Sequence, residues 1–446
     1  MPKLMSNRVL RIVSVSVLLL PLPSTAQPPD APKPTYIPPA CQGRPITKVP
    51  ASEMVAKLAG PEMPNRPISK GLQLTVFHQL SNAIETAYID PDFNGRYWPR
   101  VVDPIRGRIE DGLETEVFYR EMANLVKSLG DDHSNFLTPR QVVELITLRS
   151  GENSFVGLGV FARPITSSKM VSITAVVPDS PAERNGLKMH DRIITVDGFP
   201  LVENGQVHMY RTLGPECSSA VFEVQTPGEP ARTISIIRYR VTSPQPVVAR
   251  LVPTKDGSRV GYIFIPSFLD ETIPDQLKKA LESLGMLDGL ILDNRMNGGG
   301  SSGVLTATLG FFTSGTVGHF VGRNGKRPLE IPAKPVRNSQ KVPLIVLIGN
   351  DTVSYAEVFA GVLQDLGRAR IVGQTSKGNV ETMRPHTFSD GSLAYIATER
   401  FEPLRSKINW EKRGVKPDVE AHAEWDTFTF ENDPGVATAL KLLRPN

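Results

Sequence analysis

Hydrophobic positions along this chain follow three successive rhythms, and each predicts a different kind of structure. Within residues 68–90, Val76, Phe77, Leu80, Ile84, Ala87 and Tyr88 recur three and four apart, the spacing of an amphipathic helix. Phe118, Met122, Leu125, Val126 and Leu129 repeat that spacing, and Gly130 closes the helix. From Phe155 to about Val241 the runs shorten. VGLGVFA, MVSITAVV, DRIITVDG and RTISIIRYR read as strands separated by Gly, Pro and Asp turns. After the break SPQPV at residues 243–247, strand and helix patterns alternate. Residues 260–265 predict a strand, and the helix from Thr272 turns Ile273, Leu277, Ala280, Leu281 and Leu284 inward. Residues 290–292 and 342–348 predict further strands. The second leads to a helix with Val358, Phe359, Val362, Leu363 and Leu366 on one face and Gly367 at its end, and a short strand follows at Ile371 and Val372. This succession predicts a mostly parallel sheet whose functional loops lie at the carboxyl ends of the strands.

The amino terminus breaks the pattern. MPKLMSNRVLR is basic, IVSVSVLLLPLP is a 12-residue apolar run, and Ser24, Thr25 and Ala26 offer small residues for cleavage before Gln27. The run is too short to span a bilayer comfortably, and no cysteine follows it directly for a lipid anchor. Export with cleavage is therefore expected, the alternative being an uncleaved anchor. Residues 27–50 hold eight prolines and little apolar periodicity, the composition of an extended linker or a disordered leader. With 446 residues, 40% hydrophobic and 22% charged, the chain is globular and long enough for two or three domains. Removing Lys3, Arg8 and Arg11 with the signal lowers the net charge from +4 to +1, and no basic run supports a nucleic-acid partner. Cys41 and Cys217 are the only cysteines; their pairing is left open, and their spacing supports no metal site.

Candidate chemistry gathers in residues 342–381. Ser354 stands where strand gives way to helix, near the unpaired N–H groups and positive end of that helix. Lys377 follows 23 residues later in a Gly-bounded loop, one strand–helix unit on, where the chain returns to the same sheet edge. Together they predict a serine nucleophile with a lysine base. The plainer readings are a helix cap and an exposed loop lysine. Upstream, DNRMNGGGSSG at residues 293–303 puts three consecutive glycines between a strand and a helix. It lacks the GK[ST] ending or GxGxxG spacing of a phosphate loop, so exposed N–H donors for an oxyanion or substrate backbone fit better. Asp131, Asp132 and His133 in LGDDHSNF read as a polar turn capping its own backbone in preference to a catalytic cluster.

SPAERNGLKMHDRIITVDG resembles a PDZ domain. That resemblance places a peptide-binding loop at Val156, Gly157, Leu158 and Gly159, where inward N–H groups hold a terminal carboxylate and the adjoining strand pairs with the peptide. His190-Asp191 replaces the usual Gly-Asp, and His190 is expected to be a surface turn residue. Taken in order, YIDPDFNGRYW, LGDDHSNF, the PDZ string, VGYIFIPSF, LILDNRMNGGG, VSYAEVFAG, GQTSKG and RGVKPDV resemble the carboxyl-terminal processing peptidases, or tail-specific proteases, over roughly residues 70–420. The resemblance implies a Ser354 nucleophile, a Lys377 base, and oxyanion donors at the backbone of Gly299 and Tyr355. It also implies a PDZ domain that receives a substrate's carboxyl tail, with no metal or organic cofactor.

The expected fold is multidomain α/β, in six parts. They are a signal peptide (1–26), a proline-rich leader (27–66), a small helical domain (67–154), a PDZ domain (155–245), an α/β catalytic core with a mostly parallel sheet (246–425) and a carboxyl-terminal helix or tail (426–446). One residue departs from the family. Glu381 stands four after the lysine, where an amide is usual, and a carboxylate there favours the ammonium form of Lys377. The expected function is an exported serine endopeptidase acting on protein tails, with Glu381 shaping its pH optimum. The alternatives are a weak or silent PDZ scaffold, a small-ligand binder and a hydrolase with a histidine base. No GxSxG elbow surrounds Ser354, which counts against an esterase. Substrate identity, an adaptor and oligomeric state are left open.

Overall fold

The computed structural model describes residues 32–48, 65–149, 154–165, 168, 170–203 and 205–443. The expected signal segment, residues 1–26, and most of the leader lie outside them. Among the described residues no helix is long and apolar enough to cross a membrane.

The helical region consists chiefly of Lys70–Ala87, Pro99–Asp111 and Thr115–Lys127. Ser69 caps the first, its hydroxyl accepting the Leu72 N–H, and Pro99 opens the second at a position where the missing N–H costs nothing. Val76, Phe77, Leu80, Phe118, Met122 and Leu125 are buried as their spacing requires. Their core does not close on itself. It continues onto Phe388, Ala394, Ile396 and Ala397, and the short strand Asn135–Leu137 pairs with the strand Leu393–Pro403. The helices are thus packed on a sheet supplied by residues more than two hundred positions later.

The middle region is a small antiparallel sheet in the order Ser218–Gln225, Arg192–Val196, Met170–Val176, Val160–Ile165, so that Val160–Ile165 is the outer strand. The leader is fastened to its far side. Thr47–Lys48 pairs in parallel with Ser218–Gln225, and a disulfide joins Cys41 to Cys217 across a Cα separation of 5.4 Å. His190 corrects an expectation. It is buried, only 2% exposed, with its ring 4.1 Å from that of Trp425 and its Nδ1 2.8 Å from the Trp425 carbonyl. The turn that carries it is covered by the chain's last segment, which local sequence could not reveal. Burial pushes the imidazole down to about 4.

The third region holds the six-stranded sheet Val248–Val252, Val260–Phe264, Gly289–Asp293, Leu344–Ile348, Arg370–Gly373, Val419–Glu420. Its first pair is antiparallel and the others are parallel. Both faces are covered, which explains the unbroken apolar runs. Leu290, Leu292, Val346 and Ile348 point to the helices Ile273–Leu284, Ser302–Leu309 and Tyr355–Asp365, while Ile291, Ile345 and Leu347 meet Trp425, Phe428 and the helix Pro434–Leu443. A second, five-stranded antiparallel sheet was not anticipated. It runs Gly325–Ile331, Gly315–Gly322, Leu393–Pro403, Asn135–Leu137, with Thr382–Thr387 also paired to Leu393–Pro403. ETMRP is compatible with a strand, and Thr382–Thr387 is one, whereas GKRPLEI carries too many charges and a proline to read as one from composition.

Candidate active site

The parallel strands Gly289–Asp293 and Leu344–Ile348 lie side by side, so the loops leaving their carboxyl ends emerge together. Ser354 is the residue before the helix Tyr355–Asp365, with φ +59° and ψ −128°. That conformation is unfavourable for any side-chain-bearing residue and costs about 1–3 kcal/mol. Neighbouring groups hold it. Thr352 Oγ1 donates to the Asn294 carbonyl at 2.9 Å, the Val353 N–H to the Asn297 carbonyl at 3.0 Å, and the Ser354 N–H to Glu357 Oε2 at 2.9 Å. Asn294 Nδ2 also donates to the Ala356 carbonyl at 2.9 Å, tying the glycine loop to the helix. The serine therefore has the strained strand-to-helix geometry of a nucleophile elbow without the sequence pattern of one.

The glycine loop passes directly beside this turn. A Cβ on Gly299 would sit 2.8 Å from Ser354 Cβ and 3.0 Å from the Tyr355 nitrogen, and one on Gly300 would strike the Phe268 backbone at 2.2 Å. Their φ values of +80° and +149° exclude other residues independently. The Gly299 N–H, one of the two expected oxyanion donors, is directed to Asn297 Oδ1 at 2.9 Å, and Asn297 Nδ2 is buried without a partner among the described residues. The loop's root is rigid. Arg295 is buried between Asp293 and Asp433, 2.5 Å from each, and Tyr262 donates to Asp293 at 2.7 Å. Although burial opposes it, the Arg295 guanidinium holds the Asp293 carboxyl below the usual carboxylate range.

Lys377 is tied by its backbone to the same turn, its N–H donating to the Thr352 carbonyl at 3.1 Å. Its side chain is exposed and lines a cavity of about 490 Å³ with Asn94, Asp131, Glu381, Arg400 and Glu411; Ser354 is not part of that wall. The apolar burial expected for a lysine base is absent from this conformation. Glu381 is half-buried in the same cavity, and burial followed by the facing Glu411 pushes its carboxyl up to about 7. His133 Nε2 lies 3.2 Å from Glu411 Oε1, while Glu411 Oε2 accepts the Val380 N–H at 2.9 Å. Burial works against charge on His133, but Glu411 outweighs it and raises the imidazole above its ordinary value. Asp131 accepts the His133 N–H at 2.9 Å, so the polar turn caps itself. His133, Glu381 and Glu411 bring polar atoms within 4.8 Å of one another; His133 pairs with Glu411, and Glu381 faces that pair.

At the candidate peptide loop, Gly159 has φ +85°, and a Cβ there would lie 2.2 Å from Ser180 Cβ. The Leu158 carbonyl accepts the Ala182 N–H at 3.0 Å and the Gly159 carbonyl accepts that of Val177 at 2.8 Å. The strand Ser154–Gly157, which carries Val156 and Gly157, pairs with Tyr239–Thr242, and the outer strand Val160–Ile165 begins immediately after the loop. Arg163 on that strand donates to the Met296 carbonyl, at the entry to the glycine loop. Sequence reasoning missed Arg163, Asn297, Glu357 and Glu411. Only Glu357 had a local signal, the Ser-x-x-Glu capping box.

Comparison with known proteins places these features in context. The Peptidase family S41 model matches residues 259–421 and the PDZ domain model residues 145–209. The C-terminal processing peptidase, chloroplastic, of Tetradesmus obliquus is 30% identical over 368 residues, covering 78% of this chain and 77% of its own. The carboxyl-terminal-processing protease of Synechocystis sp. is 29% identical over 377 residues, with coverage of 81% and 84%. Among solved structures, the photosystem II D1 C-terminal processing protease superposes with a TM-score of 0.53 at 25% identity, covering 78% of this chain and 92% of its own.

Proposed function

The chain belongs to peptidase family S41 and is a serine peptidase with a PDZ domain, and from that premise we propose that it is an exported endopeptidase cleaving proteins presented by their carboxyl tails. The observation that carries the reading is the strained Ser354 turn with Gly299 packed against it. In this mechanism Ser354 Oγ attacks the scissile carbonyl while Lys377 Nζ takes its proton. The N–H groups of Gly299 and Tyr355 receive the oxyanion, the incoming oxygen displacing Asn297 Oδ1 from Gly299. Such donors contribute about 3–4 kcal/mol each in well-studied enzymes. The C–N bond breaks, the amine leaves with the proton from Lys377, and water then releases the acyl group from Ser354.

Lys377 must be neutral to start this sequence. Bringing a lysine from about 10.4 to about 7–8 requires roughly 4 kcal/mol of differential stabilisation. A substrate occupying the cavity strips water from Lys377 and supplies that burial. Glu381, half-protonated near neutral pH, imitates an amide in its neutral form and does not oppose the neutral lysine. The raised His133, held by Glu411, counts against a histidine base. A tail pairing with Val160–Ile165 extends the outer strand by β-addition, and Arg163 relays its arrival to the glycine loop. The apolar amino-terminal run and the Cys41–Cys217 disulfide support export to an oxidising compartment.

The test is cleavage of an unfolded protein with an apolar carboxyl tail by the wild type, Ser354→Ala and Lys377→Ala. Loss in both variants is expected. Turnover surviving Lys377→Ala would remove the lysine from the mechanism.

A further inference from the structure

Glu357 lies in the first turn of the Ser354 helix and is 0% exposed. A helix cap alone requires one hydrogen bond to a terminal N–H and no burial. Glu357 makes four bonds, and three lead elsewhere. Its Oε2 accepts the Ser354 N–H at 2.9 Å and the Asn379 N–H at 2.9 Å. Its Oε1 accepts the Gly378 N–H at 2.6 Å and the Ser376 hydroxyl at 2.6 Å. The Ser376 oxygen also accepts the Val415 N–H at 2.7 Å. The pocket thus presents three backbone N–H donors and a hydroxyl, a set that a carboxylate satisfies and a carboxamide cannot, because its NH2 meets a backbone N–H in either orientation; burial nonetheless raises the Glu357 carboxyl above its ordinary value. Lys377 is enclosed by the three loop donors at residues 376, 378 and 379, and its own N–H is taken by Thr352.

We propose that Glu357 is a positioning residue for peptide cleavage, one carboxylate that fixes the Ser354 turn and the Lys377 loop in a common frame. The proposal rests on the Ser354–Lys377 reading above. It explains how a lysine with an exposed side chain is kept ready, since the backbone on either side of it is already set. Substrate has only to close the side chain. Without the clamp, both loops remain attached to the sheet, but their mutual placement relaxes, and displacement of reacting groups by about 1 Å costs on the order of 100-fold in rate.

The experiment compares the full chain with Glu357→Gln, Glu357→Ala and Ser376→Ala. It measures kcat and KM on the tailed substrate, with kcat normalised to Ser354 titrated by a fluorophosphonate. It also measures amide hydrogen exchange at residues 376–379. Glu357→Gln is expected to lower kcat about 10- to 100-fold, and Glu357→Ala further, with KM within about threefold of wild type. Ser376→Ala, which removes one bond of the four, is expected to cost about three- to tenfold in kcat, and it serves if the Glu357 variants fail to fold. Exchange at Gly378 and Asn379 should accelerate in the Glu357 variants. Unchanged kcat per titrated serine in folded Glu357→Ala would overturn the proposal, as would unchanged exchange at both amides. Lys377→Ala is run in parallel. If it retains turnover, the dyad reading fails, while the exchange data still read the clamp directly.

Discussion

Glu381→Gln removes a titrating carboxyl from the Lys377 cavity and leaves its shape intact, so the cost of that carboxyl can be read in isolation. Burial and Glu411 raise Glu381 from 4.5 to about 7. At 1.36 kcal/mol per unit, such a shift is worth about 3 kcal/mol, and partial exposure reduces it to roughly 2–3 kcal/mol. The sign follows from proton counts. Below about pH 4.5 the carboxyl is neutral in folded and unfolded chains alike. Between about 4.5 and 7 the folded protein keeps a proton that the unfolded chain has released, so this group's contribution falls as pH rises, and above about 7 the whole penalty applies. Urea unfolding at about pH 5 and about pH 8 should therefore show the glutamine variant near wild type at the lower pH and about 2–3 kcal/mol more stable at the higher. Kinetics provide a second readout. Wild-type kcat/KM should decline above about pH 7 as Glu381 ionises and stabilises the ammonium form of Lys377, and the variant should lose that decline. A stability difference that is the same at both pH values, or a superimposable pH–rate profile, would refute the reasoning.

Gly299→Ala should reduce kcat by about 100-fold or more, because its methyl would meet Ser354 Cβ at 2.8 Å and displace a proposed oxyanion donor; steady-state kinetics on a folded variant check this. Arg163→Ala should leave tail-peptide affinity within about twofold, measured by calorimetry, while abolishing any stimulation of cleavage by the tail, because the side chain joins Val160–Ile165 to Met296 and not to the peptide loop. Reduction of Cys41–Cys217, which spans 176 positions, should lower stability by about 2–4 kcal/mol in denaturant melts without altering kcat.

Whatever local rhythm could encode was legible in the chain: the amphipathic faces of Lys70–Ala87 and Tyr355–Asp365, the apolar runs of the parallel sheet, and the glycines beside Ser354. The rest depends on partners distant in sequence. His190 looked like a surface turn because nothing within ten residues reveals that Trp425 covers it. The second sheet was hidden because its strands satisfy their charges across the sheet, as Arg327 and Arg384 do on Glu399. The candidate site divides in the same way. Ser354 and Lys377 could be named from position, yet position fixes neither side chain. Ser354 is set by contacts with Asn297 and Glu357, and the Lys377 loop by Thr352 and the same Glu357. What local sequence identifies is the pair of groups proposed to react, whereas the placement of their loops is a property of the buried polar atoms between them. The exposed Lys377 fits that division: its backbone is held by Thr352, and in the proposed mechanism burial of its side chain is left to the substrate.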